Sequence, residues 1–211
     1  TASIFLSSYL DTLGFNNGNW EFNMGVSEIT TFNAAEVIYN RIITQLFSKG
    51  GFSNINISKW DSSDDTLLLM ATAEACINGS TEKDFVKSFL KYKNMLEEEK
   101  RASGNHTLKM FKILKKKKKL SAIPYLSSGG GCGASMRTGP IGVYFWKPKD
   151  QKKLIETAIM SSRLTHNYPL GFLGGMTNAL FVSFALQNIY PIKWCDKLIE
   201  LNENGTIDNI M

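Results

Sequence analysis

Four short stretches carry residue types that can do chemistry. The first is Trp60-Asp61-Ser62-Ser63-Asp64-Asp65-Thr66. Adjacent carboxylates ahead of an apolar run have two readings. Ser63 can cap a helix whose first turn holds Asp64 and Asp65, where negative charge offsets the positive end of the helix dipole. Alternatively, the hydroxyl and carboxylate oxygens make a hard site for Mg2+ or Ca2+, with no ligand that suits zinc. Two neighbouring carboxylates repel each other, and a divalent cation between them removes the repulsion.

The second stretch is the glycine loop Gly129 to Arg137. It is either a flexible connector or a cradle of backbone N–H groups for phosphate oxygens. No GKS or GKT follows, so it is not a Walker loop, and it lacks the strand–helix context of a dinucleotide fingerprint. Arg137 is open to two roles, structural pin or anion clamp. The third stretch is Thr165-His166-Asn167 with Pro169 and Gly171, at a junction between expected helices. His166 is either a satisfied structural side chain or part of a site. The fourth is Asp11-Thr12-Leu13-Gly14-Phe15 followed by Asn17-Gly18-Asn19-Trp20-Glu21-Phe22. It reads as a helix end, a glycine stop and a turn. Glu21 beside two aromatics is a candidate for acid–base work.

Helices must position these residues. Apolar spacing predicts helices over 33–48, 64–77, 82–98, 150–164 and 169–187. The segments 64–77 and 169–187 are apolar nearly all round and read as central, buried helices. Gly171, Gly174, Gly175, Ala179 and Ala185 suit close helix–helix approach. Asp150 and Pro169 mark two helix starts. Residues 99–128 are polar and weakly periodic, 128–142 too glycine-rich for a packed helix, and only short stretches such as 140–145 could be strands. The fold class expected is all-α, as one domain over 1–211.

The chain has 211 residues, 43% of them hydrophobic and 20% charged, which suits a globular domain. Its net charge of +5 equals the contribution of one run, Lys115 to Lys119. Without a basic face spread along the chain, nucleic acid is not an expected partner. No run of about 18 apolar residues suggests a membrane-spanning helix. Three widely spaced cysteines, Cys76, Cys132 and Cys195, with no CxxC, fit reduced thiols and a cytoplasmic location. The start lacks both Met and signal-peptide character, and the chain reads as part of something longer.

Taken in order, the four motifs resemble the ADP-ribosylglycohydrolase family from about residue 4 to residue 200. Ser63-Asp64-Asp65-Thr66 is similar to the family's N-terminal metal motif. Gly130-Gly131-Cys132-Gly133-Ala134-Ser135-Met136-Arg137 is similar to its ligand loop. Arg163-Leu164-Thr165-His166-Asn167 with Pro169 and Gly171 is similar to its later turn. The retained Asp64, Asp65, Met136 and Arg137 resemble the active, arginine-directed branch. The resemblance implies a compact orthogonal helical bundle with two Mg2+ ions, in a monomer. It implies hydrolysis of the N-glycosidic bond between ADP-ribose and arginine on modified proteins. Ser63, Asp64 and Asp65 would hold metal, and Asp64, Asp65 and Glu21 would serve catalysis. Gly130 to Arg137 and His166 would bind ADP-ribose. Two departures stand out. Family members are longer and carry a second Asp-x-Asp-Ser/Thr motif near their C-terminus, whereas beyond residue 170 this sequence has only Asp196 and Asp208. Their early Gly-Asp-Ala-Leu-Gly reads here as Leu10-Asp11-Thr12-Leu13-Gly14. The chain is therefore expected to be the N-terminal portion of an enzyme, or else a catalytically incomplete relative that binds ADP-ribose.

Overall fold

A computed structural model describes residues 2–20, 34–98 and 103–210. Among them there are helices, short 3-10 turns and connecting segments, and no strand. The all-α expectation holds. The chain forms two compact units, residues 1–66 and 67–211, and the division falls in the first turn of a helix.

The first unit contains α1 (Ala2–Phe15), α2 (Ala34–Ser48) and a single turn, α3 (Gly51–Asn54). Gly14 does not stop α1. The chain leaves the helix where Asn16, Asn17 and Gly18 take positive φ values of 42°, 54° and 84°. The helix expected over 33–48 is α2, but of its apolar stripe only Leu46 is buried, and Phe47 is 68% exposed. Trp20 and Trp60 meet edge to face at 5.7 Å, and the Trp20 indole N–H donates to Gln45 Oε1 at 2.7 Å.

Helix α4 (Asp64–Asn78) crosses into the second unit. It buries Leu68, Leu69, Ala71, Thr72, Ala75 and Cys76. It is not buried all round, because Met70 and Ile77 are exposed. Helix α5 (Glu82–Glu98) follows as expected. Thr81 and Asp84 form a reciprocal cap at its start. The Thr81 N–H donates to Asp84 Oδ2 at 3.1 Å, and the Asp84 N–H donates to Thr81 Oγ1 at 3.3 Å.

The polar stretch after α5 holds an unexpected helix, α6 (Asn105–Lys117). Its buried residues are Thr107, Met110, Phe111 and Leu114, the i, i+3, i+4, i+7 face of an amphipathic helix. Lysines on the other face mask this pattern in the sequence. The lysine run therefore begins inside this helix. Lys115–Lys117 occupy the last turn, where positive charge suits the dipole, and Lys118 ends the helix in the left-handed region at φ 54°. The strand considered over 140–145 is also corrected. Residues 140–144 belong to α7 (Gly139–Tyr144), opened by Pro140 in its first turn, and Phe145 caps its end. With neighbouring helices on its faces and no strand among the described residues to pair with, this apolar run packs as a helical turn.

Helices α8 (Gln151–Arg163) and α9 (Pro169–Leu186) close the core, and α10 (Trp194–Glu203) follows. Asp150 stands at the N-cap position of α8, without a side-chain hydrogen bond to the helix. By length and composition α9 could cross a membrane, which run-counting missed because Gly, Thr, Asn and Ser interrupt it. Its packing is that of a core helix. A Cβ at Gly142 of α7 would lie 2.2 Å from the Ala179 carbonyl oxygen, and one at Gly175 of α9 would lie 2.2 Å from Ser162 Oγ. The core of this unit joins Phe85, Phe89, Phe111, Ile141, Leu154, Ile155, Leu180 and Phe184, all nearly or wholly inaccessible.

Candidate functional site

In the first unit, the start of α4 is tied to α1 through Asp11. The Ser63 N–H donates to Asp11 Oδ2 at 2.9 Å, and the Ser63 hydroxyl donates to Oδ1 at 2.7 Å. The Thr66 hydroxyl donates to Oδ2 at 2.6 Å. Ser63 Oγ also accepts the Asp65 N–H at 3.1 Å, so Ser63 is the helix cap. The Asp61 N–H donates to Asn17 Oδ1 at 2.7 Å, which fixes the entry into the motif. The capping reading of Ser63 is therefore met in the geometry, with Asp64 and Asp65 in the first turn.

The same arrangement suits a hard cation. The donors this helix start offers are all oxygens: the Asp64 and Asp65 carboxylates and the Ser63 and Thr66 hydroxyls. Each hydroxyl spends its proton on Asp11 and so keeps a lone pair for a further acceptor role. Among the described residues no group of three or more His, Cys, Asp or Glu side chains converges as a metal cage. Asp11 is the residue that sequence reasoning passed over. It read as part of a helix end, although its position in the stretch aligned with the family's early motif marked it. Glu21 lies outside the described residues.

In the second unit, the glycine loop folds as two 3-10 turns, Ser127–Gly129 and Cys132–Arg137, against the His166 turn and the start of α9. Its glycines serve close approach. Gly130 and Gly131 have φ of −83° and −69°, values any residue adopts. A Cβ at Gly133 would lie 2.9 Å from His166 Cε1, and one at Gly130 would lie 3.2 Å from the Tyr168 ring. Below the loop, a Cβ at Gly171 would lie 2.1 Å from the Gly129 carbonyl oxygen. Gly131, Cys132 and Met136 face outward, Ser135 is half-buried, and Ala134 and Arg137 are buried.

Arg137 is the pin. Its side chain is fully buried, and it donates to the Ser161 hydroxyl at 3.1 Å, the Ser161 carbonyl at 3.2 Å and Thr165 Oγ1 at 2.7 Å. The guanidinium stacks on Phe89, 4.5 Å from the ring centroid. Thr165 Oγ1 lies 2.9 Å from His166 Nδ1. His166 sits between α8 and α9, as expected, and is 5% exposed. Burial, then the Arg137 charge, then His106 push its imidazole down to about 4. His106, on the unanticipated α6, lies 5.7 Å from His166 between ring centroids. Asn167 donates to the Ile123 carbonyl at 3.0 Å and accepts from Arg163 Nε at 2.8 Å, which locks the turn. The sequence motifs thus come together in two clusters, Asp11–Ser63–Asp64–Asp65–Thr66 in one unit and the loop with Arg137, Thr165 and His166 in the other.

The ADP-ribosylglycohydrolase family model matches residues 11–204, and the chain belongs to that family. It is 34% identical over 211 residues to ADP-ribosylhydrolase ARH1 of Dictyostelium discoideum, covering 93% of this chain and 50% of that protein. It is 32% identical over 215 residues to a protein of Acanthamoeba polyphaga mimivirus assigned as an ADP-ribosyl glycohydrolase, covering 97% of this chain and 40% of that protein. The chain therefore spans half or less of the length of these relatives.

Proposed function

We propose that this chain belongs to an enzyme that removes ADP-ribose from arginine on modified proteins by hydrolysing the N-glycosidic bond. The observation that carries this reading is the Asp11 clamp, which holds Ser63 and Thr66 at the start of α4, whose first turn carries Asp64 and Asp65. The family match and the Dictyostelium relative's name support ADP-ribose as the group removed. Asp64, Asp65 and Ser63 would hold Mg2+, which when bound supplies Lewis-acid polarisation and positions a water. Other residues of this chain take further parts. Asp11 orients the Ser63 and Thr66 hydroxyls. The loop from Gly130 to Met136 offers backbone N–H groups to the diphosphate and ribose, and Arg137 fixes the loop from beneath. His166 borders the ligand, and Glu21 assists proton transfer. We take the protein to act as a cytoplasmic monomer.

The test is release of ADP-ribose from ADP-ribosylated arginine by the full-length protein, with ADP-ribosylated serine as the comparison. Mg2+-dependent release from arginine, lost on chelation and at least 100-fold weaker in Asp64→Ala, supports the reading. Release from serine alone, or no release from either, overturns it.

A further inference from the structure

We infer that Arg137 and Thr165 are positioning residues that fix His166 as its Nε2–H tautomer, a neutral donor aimed at an oxygen of ADP-ribose on the glycine loop. The ligand in this statement rests on the function proposed above, whereas the tautomer does not.

The proton count decides the tautomer. A guanidinium has donors only. Arg137 therefore donates to Thr165 Oγ1, at 2.7 Å. The Thr165 hydroxyl has one proton of its own, and the one acceptor it reaches among the described residues is His166 Nδ1, at 2.9 Å. That proton points at Nδ1, which must then be the bare nitrogen, and the neutral ring carries its hydrogen on Nε2. The reverse arrangement would have the hydroxyl accept twice, from Arg137 and from an Nδ1–H. It would also strand the hydroxyl proton in a site where Thr165 is wholly inaccessible.

The charge of the ring is settled by its surroundings. Burial and the nearby Arg137 cation hold the imidazole at about 4, so it is neutral at pH 7. The direction of the donor follows from the glycines. A Cβ at Gly133 would lie 3.1 Å from Nε2 and one at Gly131 would lie 3.8 Å away, so this nitrogen faces the loop. His106 lies 5.7 Å off between ring centroids, and no hydrogen bond joins the two rings among the described residues. A neutral donor here serves a ribose hydroxyl or a diphosphate oxygen without its charge varying across neutral pH.

The experiment is long-range proton–nitrogen NMR of the full chain labelled with 15N-histidine, with His106→Gln assigning the two rings and calorimetry reporting ADP-ribose binding separately. The expected result is a neutral Nε2–H pattern for His166 at pH 7, kept in Thr165→Ser and lost in Thr165→Val. Added ADP-ribose should shift the Nε2 resonance. An Nδ1–H or doubly protonated His166 in the unmodified chain overturns the inference whether or not Thr165→Val folds. An unchanged tautomer in folded Thr165→Val overturns it too. Calorimetric binding without an Nε2 shift removes the donor role while leaving the proposed function standing. No calorimetric binding at all removes the ligand from both, and the tautomer pattern then decides the role of Arg137 and Thr165 by itself.

Discussion

Asp11 grips Ser63 at two points, one carboxylate oxygen taking the backbone N–H at 2.9 Å and the other taking the hydroxyl at 2.7 Å. The residues are 52 positions apart, so this clamp fixes long-range structure. Asp11→Asn keeps one acceptor oxygen and turns the other into a donor facing a donor. A loss of about 1–3 kcal/mol is expected, and a fall in melting temperature of roughly 2–4 °C per kcal/mol. Mg2+ affinity should drop about 10–100-fold, as for a residue that orients metal ligands. Calorimetry with and without Mg2+ checks both, and an unchanged affinity would separate the clamp from metal binding.

Two glycines should respond in opposite directions to alanine. Gly171→Ala drives a Cβ to within 2.1 Å of the Gly129 carbonyl oxygen, a backbone atom that cannot swing aside. A cost of about 1–3 kcal/mol or more is expected. Gly14 lies in α1, where an added Cβ would meet nothing within 4 Å, and Gly14→Ala should gain about 0.5–1 kcal/mol. Urea unfolding of the two variants reads the contrast.

Acid should weaken the second unit through His166. The folded imidazole sits at about 4, below its ordinary value of 6.5. Between these values the unfolded chain binds more protons than the folded one, so stability falls as pH drops from 6.5 toward 4 and levels off below. The contribution lost is on the order of 3 kcal/mol. His166→Gln should flatten this part of the stability curve between about pH 7 and pH 4.5. An identical pH slope in the variant would assign the acid response to other groups.

The lysines at the end of α6 should matter to the helix and not to the chemistry. Replacing Lys115, Lys116 and Lys117 with Gln removes charges that favour the negative end of the dipole, at about 0.3–1 kcal/mol each at most. The expected readout is a small fall in melting temperature at low salt that shrinks as salt rises, with ADP-ribose release unchanged.

Most helices were legible because their apolar spacing is strong: α4, α5, α8 and α9 lie within a residue or so of their expected limits. Helix α6 was not, because five consecutive lysines dominate a segment whose buried face is only Thr107, Met110, Phe111 and Leu114. With it went His106, which reaches His166 only once α6 exists. Helix α7 was misread because its run is too short for periodicity to choose between helix and strand. The acidic motif was visible as composition, but its fastening was not, since nothing local links Asp11 to Ser63. For the glycine loop, the glycines were visible in the sequence but what they make room for was not. The glycines admit the His166 ring and the α9 backbone, and that contact needs tertiary structure to be recognised.

The Gly129 carbonyl lies where any side chain at position 171 would begin. A loop seated this closely on a core helix has already lost its conformational freedom before a ligand arrives. Association with the loop should then be a single step, with an observed rate linear in ligand concentration and no plateau from a preceding rearrangement. Gly171 thus lets the loop be held in place in advance, though its own atoms lie beneath it.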